Sequence, residues 1–237
     1  MRRAGWHIAV LIPAHNEEDL LPRCLRSVDR ARRCLPACVT SDLIVVVDDS
    51  SDDTYAIARK MTGDYGCAAQ IEARCVGSAR EYAARLALGR YEGDTSACWL
   101  ANTDADCEVP ENWLVQHLEC AGMGWSAVAG IVDVDSFAEH AKYVEQRFRE
   151  AYLIHPDGTH PHIHGANLGV RADVYLEVGG WGALHSAEDH HLWNRLRSED
   201  NLMRSDARLI VFTSGRRVGR APRGFAGALA AHNQVAA

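Results

Sequence analysis

No apolar run in the sequence approaches the roughly 20 residues that a membrane-spanning helix requires. Residues 1–7 lead into an apolar segment that is too short and too interrupted for a signal peptide. Basic residues are outnumbered, because 25 Lys and Arg stand against 32 Asp and Glu and give a net charge of −7. We therefore expect no nucleic-acid partner and no general surface for anionic membranes, although a local basic patch stays open. The predicted location is the cytoplasm, with peripheral attachment to a membrane as an alternative.

The eight cysteines include no Cys-x-x-Cys pair. Only Cys34 and Cys38 are spaced by one helical turn, and no partner residues follow them at zinc-site spacing. Reduced and mostly buried thiols are therefore expected. Repeats, low-complexity segments and linkers are also lacking. With 47% hydrophobic and 24% charged residues, the chain is typical of a soluble globular protein with a substantial core.

Four apolar segments with strand character alternate with helical patterns up to about residue 106. The segments are 8–12, 43–47, 68–73 and 97–101. The helices between them are predicted from near Leu21, over about 53–61, and over 79–89. This β-α-β-α-β-α-β order predicts a parallel sheet with helices on both faces. Ligands of such sheets bind at the carboxyl ends of the strands.

The second half of the chain has a less regular pattern. Pro110 opens a predicted helix, and residues 127–132 form a strand candidate. Apolar residues from Phe137 to Tyr152 at helical spacing predict one long amphipathic helix. A loop over 155–165 and a last strand over 209–212 follow.

Two aspartates one residue apart, Asp104 and Asp106, directly follow the strand candidate 97–101. In extended backbone their side chains point to the same side, and at ~5 Å in an effective dielectric of ~20 they repel by about 3 kcal/mol. A hard divalent cation such as Mg²⁺ or Mn²⁺ relieves this repulsion, and substrate phosphates commonly complete its coordination. An ordinary polar turn is the alternative. Asp48 and Arg80 are predicted at the same sheet edge, which favours the metal site.

Six short motifs occur in an order that resembles the family 2 glycosyltransferases of GT-A fold. They are Pro13-Ala14-x-Asn16-Glu17, Asp48-Asp49-x-Ser51-x-Asp53, Gly77-x-Ala79-Arg80, Asp104-x-Asp106, Gly165-Ala166-Asn167 and Glu188-Asp189. The resemblance covers about residues 10–220. It implies a single α/β domain over 1–237 with a Rossmann-like, mostly parallel sheet. Its nucleotide-binding half would cover about 1–106 and its acceptor and catalytic half about 107–237. It also implies inverting transfer from a nucleotide-sugar donor with a divalent cation.

The resemblance implies roles for the residues of the first three motifs. Pro13, Ala14 and Glu17 would lie against the nucleoside, with Glu17 near the ribose. Asp48 would accept a hydrogen bond from the base, which favours a UDP- or GDP-linked donor. Arg80 would lie near the base or the diphosphate.

The remaining motifs imply the metal and the catalytic residues. Asp104 and Asp106 would mark the Mn²⁺ or Mg²⁺ and diphosphate region. Ala166 and Asn167 would line the sugar and acceptor side. Asp189, with Glu188 beside it, would be the catalytic base; simple charge compensation at a helix N-terminus is the alternative for this pair.

The sequence departs from the family pattern in three places. Asp49 stands where the family often has Gly, and Glu81 stands where Asn often follows the arginine. Both substitutions add negative charge near the expected diphosphate. No Gln-x-x-Arg-Trp follows Asp189, so a processive, membrane-embedded synthase is not expected.

Histidines and arginines in the second half leave further roles open. His155, His160, His162 and His164 indicate either a polar lid over the crevice or a transition-metal site. The basic side chains at 216, 217, 220 and 223 either contact the diphosphate or an anionic acceptor, such as a lipid phosphate, or are solvated.

The predicted activity is transfer of a hexose-type sugar to a hydroxyl acceptor. A nucleotidyltransferase is one alternative, but such enzymes usually carry a Gly-rich basic loop where this chain has residues 13–17. A non-catalytic nucleotide- or sugar-binding module on the same fold is the other.

Overall fold

Seven strands form one sheet in the computed structural model, which describes residues 5–199, 201–220 and 224–233. The strands are β1 (His7–Ala14), β2 (Thr40–Asp48), β3 (Gly66–Ile71), β4 (Cys98–Asn102), β5 (Ala127–Val134), β6 (Leu168–Arg171) and β7 (Met203–Thr213). Their order across the sheet is β3-β2-β1-β4-β6-β5-β7. β6 is antiparallel to β4 and β5, and the other pairs are parallel.

Helices cover both faces of this sheet. They are α1 (Leu21–Arg33), α2 (Thr54–Thr62), α3 (Val76–Arg90), α4 (Trp113–Gly122), α5 (Val144–Ala151), α6 (Ala172–Glu177), α7 (Glu188–Ser198) and α8 (Phe225–Ala231). Ile8, Val10 and Ile12 pack in one buried cluster with α1 and α4, whereas Ala9 and Leu11 pack in a second with α3 and α7. The predicted single α/β fold with a mostly parallel, doubly covered sheet is confirmed.

The direction of each strand decides which loops meet at one edge. β1, β2, β3 and β4 run parallel, so the loops that follow Ala14, Asp48, Ile71 and Asn102 open on the same edge. β6 runs the opposite way, so its start at Leu168 lies at that edge instead of its end. The expected ligand edge of the sheet therefore includes the residues that precede β6.

The long amphipathic helix predicted over 137–152 is wrong. Only Val144–Ala151 is helical, and residues 135–143 form a loop. The loop bonds to the chain after β7, where the His140 Nε2–H donates to the Gly215 carbonyl at 2.7 Å. Phe137 still packs beside Phe148, so the helical spacing reflected a shared apolar cluster and not a continuous helix.

The last strand is longer than the predicted 209–212. β7 also includes residues 203–208, a largely polar stretch in which Asp206 pairs with Arg204 and Arg208 at 3.1 and 2.7 Å along this edge strand. Of the eight free cysteines, five are buried, as expected, and Cys34 and Cys38 are exposed. Among the described residues, no helix is long and apolar enough to cross a membrane.

A buried histidine ties α4 to the centre of the sheet. The Trp99 Nε1–H donates to His117 Nδ1 at 3.1 Å, and Gly169 packs so closely that a Cβ there would lie 2.5 Å from the ring. Burial lowers the pKa of His117 to about 3, so the ring is neutral in the folded protein.

We expect this histidine to make the free energy of unfolding depend on pH. Between pH 6.5 and about 3 the unfolded chain binds a proton that the folded ring refuses, so the free energy of unfolding falls as the pH is lowered. His117→Gln keeps an acceptor for Trp99 but does not titrate. Urea unfolding at pH 6 and pH 4 should show wild type losing about 1.4 kcal/mol per pH unit more than the variant. Equal losses would contradict the assignment.

Candidate active site

Charged side chains from both halves of the chain meet at the carboxyl edge of the sheet, where two arginines bridge four carboxylates. Arg80 contacts Asp104 and Glu188, and Arg216 contacts Glu17 and Asp106. Carboxylates outnumber guanidinium groups in this set, so the edge carries excess negative charge.

Arg80 is the buried centre of the first bridge. It lies near the start of α3 with a side chain that is 2% exposed. Its Nη2 donates to Asp104 Oδ1 at 2.6 Å and its Nε to Glu188 Oε1 at 3.2 Å. Burial alone would lower the pKa of Arg80, but the charges of Asp104 and Glu188 raise it above its usual range. Arg80 is therefore a permanently charged link between β4 and α7.

Close packing holds the Arg80 guanidinium in place. It lies 5.3 Å from the centre of the Trp181 ring, within cation–π range. A Cβ on Gly165 would lie 2.5 Å from Arg80 Nη2, so the glycine leaves room for the guanidinium. The family resemblance implies a place near the base or the diphosphate for Arg80, and in the structure its side chain is enclosed by protein.

The Glu188-Asp189 pair begins α7. Burial raises the pKa of Glu188, and the charge of Arg80 opposes that rise. Asp189 Oδ2 accepts a hydrogen bond from the Gly165 N–H at 2.9 Å. The fifth and sixth motifs therefore meet in space, and the Asp189 carboxylate has a fixed orientation beside the start of β6.

Arg216 is the centre of the second bridge and reaches the site from the segment after β7. Its Nη1 and Nη2 bind the Glu17 carboxylate at 2.9 and 2.6 Å, and Nη2 also lies 2.9 Å from Asp106 Oδ2. Burial and the neighbouring Asp104 raise the pKa of Asp106 to about 6, against the effect of Arg216.

Asp48 organises the loop that leads into α3. Its Oδ1 accepts hydrogen bonds from the N–H groups of Ala73 and Arg74 at 2.8 and 2.9 Å. Its Oδ2 accepts one from the Cys75 N–H at 2.7 Å. A carboxylate has about four acceptor positions, so the described residues use three of them.

Asp49 has a left-handed backbone, with φ at +47°. Glycine adopts this conformation at least cost, which accounts for the glycine that the family often has there. The added negative charge is paired, because Arg74 Nε lies 2.6 Å from Asp49 Oδ2.

Asn167 lies in the interior with a fully buried side chain. Its amide N–H groups donate to the carbonyls of Ile131 and Leu209 at 2.8 and 2.9 Å, and its carbonyl accepts the Trp113 Nε1–H at 2.9 Å. These bonds join β5, β7 and α4 around the start of β6. Its neighbour Ala166 is also buried, as are Pro13 and Ala14 at the end of β1.

The loop that carries the four histidines is exposed only in part, with His155 exposed and His162 and His164 half-buried. His160 is buried and its Nε2–H donates to the Ala129 carbonyl at 3.1 Å. His162 stacks on Tyr152 at 3.9 Å between ring centres, and His164 Nε2 lies 3.0 Å from the Tyr152 hydroxyl. Burial lowers the pKa of His164 to about 4. Packing against α5 and β5 accounts for three of the four histidines.

Three or more His, Cys, Asp or Glu side chains do not come together as a metal site anywhere in the described ranges. Asp104 and Asp106 alone make an incomplete set for a divalent cation. They fit a cation whose remaining ligands come from a bound diphosphate, since magnesium-type sites commonly use one or two carboxylates and substrate phosphates. Of the tail arginines, Arg217 and Arg220 are exposed and Arg223 lies outside the described residues.

Comparisons with known proteins show the family and the fold of the chain. The family model of glycosyl transferase family 2 matches residues 9–179. The structure of S. aureus TarS 1–349 in complex with UDP-GlcNAc has a TM-score of 0.67 at 14% identity, covering 92% of this chain and 61% of that one. The mannosyltransferase PcManGT from Pyrobaculum calidifontis, in complex with GDP-Man and Mn²⁺, has a TM-score of 0.64 at 17% identity, covering 90% and 58%.

At these identities the structural likeness shows a shared fold. The chain spans about three fifths of the length of these two structures. A search of curated protein sequences finds no match.

Loss of the Arg80 guanidinium should destabilise the protein. Arg80→Met leaves Asp104 and the buried Glu188 without their cation, so we expect the free energy of unfolding to fall by about 3 kcal/mol. Arg85→Met is the control, because Arg85 is exposed on the same helix, and it should change stability by less than about 0.5 kcal/mol. Urea unfolding measures both, and equal effects would contradict the role of Arg80.

Proposed function

This chain belongs to glycosyl transferase family 2, and from that premise we propose an inverting enzyme that moves a sugar from a nucleoside-diphosphate donor to a hydroxyl acceptor. The observation that carries the proposal is the meeting of Glu17, Asp104, Asp106 and Glu188 around Arg80 and Arg216 at one sheet edge. Residues far apart in the chain converge there at the usual ligand position of an α/β sheet.

The donor in this proposal is UDP- or GDP-linked. Complexes of TarS with UDP-GlcNAc and of PcManGT with GDP-Man support a nucleotide sugar. The nucleoside would lie against Pro13, Ala14 and Glu17, with its base near Asp48. A fourth acceptor position on the Asp48 carboxylate would suit the ring N–H that both uracil and guanine present.

Asp104 and Asp106 would hold a divalent cation, Mn²⁺ or Mg²⁺, together with the diphosphate. Such a cation neutralises the charge that develops on a departing nucleoside diphosphate. The Mn²⁺ in the PcManGT complex supports this choice. Arg80 would act indirectly, since its enclosed guanidinium fixes Asp104 and Glu188 and leaves the ligand to other groups.

Asp189 would be the general base. The Gly165 N–H orients its carboxylate, whereas Glu188 is bound to Arg80 and would position α7. Asp189 would take the proton of the acceptor hydroxyl as the hydroxyl oxygen bonds to the anomeric carbon. The bond to the diphosphate breaks on the opposite side of that carbon, which inverts its configuration. The buried Asn167 would hold the Gly165-Ala166-Asn167 motif in position.

The proposed acceptor is a compound with a free hydroxyl group. Contact with the exposed Arg217 and Arg220 would favour an anionic or lipid-linked acceptor. Peripheral contact with a membrane belongs to the same proposal.

We expect Asp189→Asn to reduce donor turnover by ~10²–10⁴-fold, because the amide keeps an acceptor for Gly165 but cannot take a proton. The measurement is release of nucleoside diphosphate from UDP- and GDP-sugars with Mn²⁺, with binding of UDP and GDP measured in parallel. Asp173→Asn on α6 is the control. Near-normal turnover in Asp189→Asn would refute the base assignment, and nucleotide binding without any wild-type turnover would favour a non-catalytic module.

Asp106→Asn should weaken nucleotide binding only when metal is present. We expect calorimetry to show a loss of about tenfold or more for UDP or GDP with Mn²⁺, because a neutral amide is a poor ligand for a hard cation. In EDTA the affinity should change little. The same affinity for variant and wild type with Mn²⁺ would rule out a metal at Asp106.

A further inference from the structure

Arg216 occupies the space between two acidic residues that the proposed function assigns to the donor and its cation. The guanidinium binds both oxygens of Glu17 and one oxygen of Asp106. Its side chain is only 17% exposed, and its Nε is buried without a partner among the described residues. The contacts of Arg216 at the site are therefore mainly with carboxylates.

The segment that carries Arg216 is held in place by its backbone. The Gly215 N–H donates to Asp135 Oδ1 at 3.0 Å, and the Gly215 carbonyl accepts the His140 Nε2–H at 2.7 Å. A Cβ on Gly215 would clash with the Ser136 carbonyl, so the segment lies tightly on this loop. Arg216 therefore starts from a fixed backbone, and its long side chain can leave the carboxylates without unfolding the segment.

We infer that Arg216 is a resident counter-ion that keeps a divalent cation from Asp106 until a nucleoside diphosphate arrives. The inference rests on the proposed function, because it requires the cation to bind at Asp106. A guanidinium 2.9 Å from Asp106 Oδ2 repels a second positive group at the same carboxylate. A diphosphate brings negative oxygens that bind both the cation and a guanidinium, so it removes the conflict.

This arrangement couples the two ligands. The cation binds weakly to the free enzyme and more tightly once diphosphate is present, and by linkage the cation strengthens diphosphate binding by the same factor. The enzyme thereby selects a cation–diphosphate pair over either ion alone. Loss of the guanidinium removes the barrier to the cation and, at the same time, one partner of the diphosphate.

The test is Mn²⁺ binding measured by electron paramagnetic resonance, with and without UDP or GDP. Arg216→Met and Arg216→Gln remove the charge, and Arg216→Lys retains it. Without nucleotide we expect both neutral variants to bind Mn²⁺ about tenfold more tightly than wild type, and the lysine variant to resemble wild type. Nucleotide should enhance Mn²⁺ affinity in wild type and much less in the neutral variants. Arg90→Met is the control, because it removes the Arg90–Asp42 ion pair, whose partners are on α3 and β2.

The possible outcomes separate the inference from the proposed function. Two results would overturn the counter-ion role but not the metal assignment. One is tight Mn²⁺ binding by the wild type in the absence of nucleotide. The other is an Mn²⁺ affinity of the neutral variants no higher than that of the wild type, while nucleotide still promotes Mn²⁺ binding. A third result is that no variant binds Mn²⁺ and that nucleotide affinity depends on Arg216. This result would overturn both the inference and the metal assignment, and it would indicate that Arg216 serves in place of a metal. Circular dichroism of each variant verifies folding. The two neutral variants should have the same Mn²⁺ affinity.

Discussion

The ion pairs of the buried Arg80 constrain the whole candidate site. A guanidinium enclosed by protein needs carboxylates around it, and here they come from Asp104 after β4 and Glu188 at the start of α7. Because α7 is fixed in this way, Asp189 is held beside Gly165. One buried charge thus sets the spacing between the proposed metal residues and the proposed base.

The reversed strand β6 brings the second half of the chain to the same edge. Its antiparallel pairing with β4 places residues 165–167 next to the carboxyl ends of the parallel strands. Asn167 then fixes this turn through bonds to β5, β7 and α4. Acidic groups collected in this way need counter-charge, which Arg80 supplies from beneath and Arg216 from the segment after β7.

Continuous apolar runs made β1 and β2 predictable, because strands that are buried on both faces have such sequences. The place of Asp104 and Asp106 directly after a strand was predictable, but their extended backbone was not. Residues 104–107 form a turn in which the Cys107 N–H donates to the Asp104 carbonyl at 3.0 Å, and the two carboxylates pair with different arginines. The contact between Glu17 and Arg216 was not predictable, because 199 residues separate the two and no local pattern joins them. The spacing of the histidines does not reveal that His160 bonds to the Ala129 carbonyl or that His162 stacks on Tyr152. The glycine of the family pattern at position 49 is a signal for the left-handed backbone that Asp49 adopts.

In the proposed function, this edge of the sheet binds a cation and a nucleoside diphosphate together. Anomalous diffraction from manganese in crystals grown with UDP or GDP and Mn²⁺ tests it most directly. We expect one manganese peak in contact with Asp106 and with diphosphate oxygens, with the nucleoside beside Glu17 and Asp48. A nucleotide bound on another face of the molecule, or a manganese peak away from Asp104 and Asp106, would contradict it.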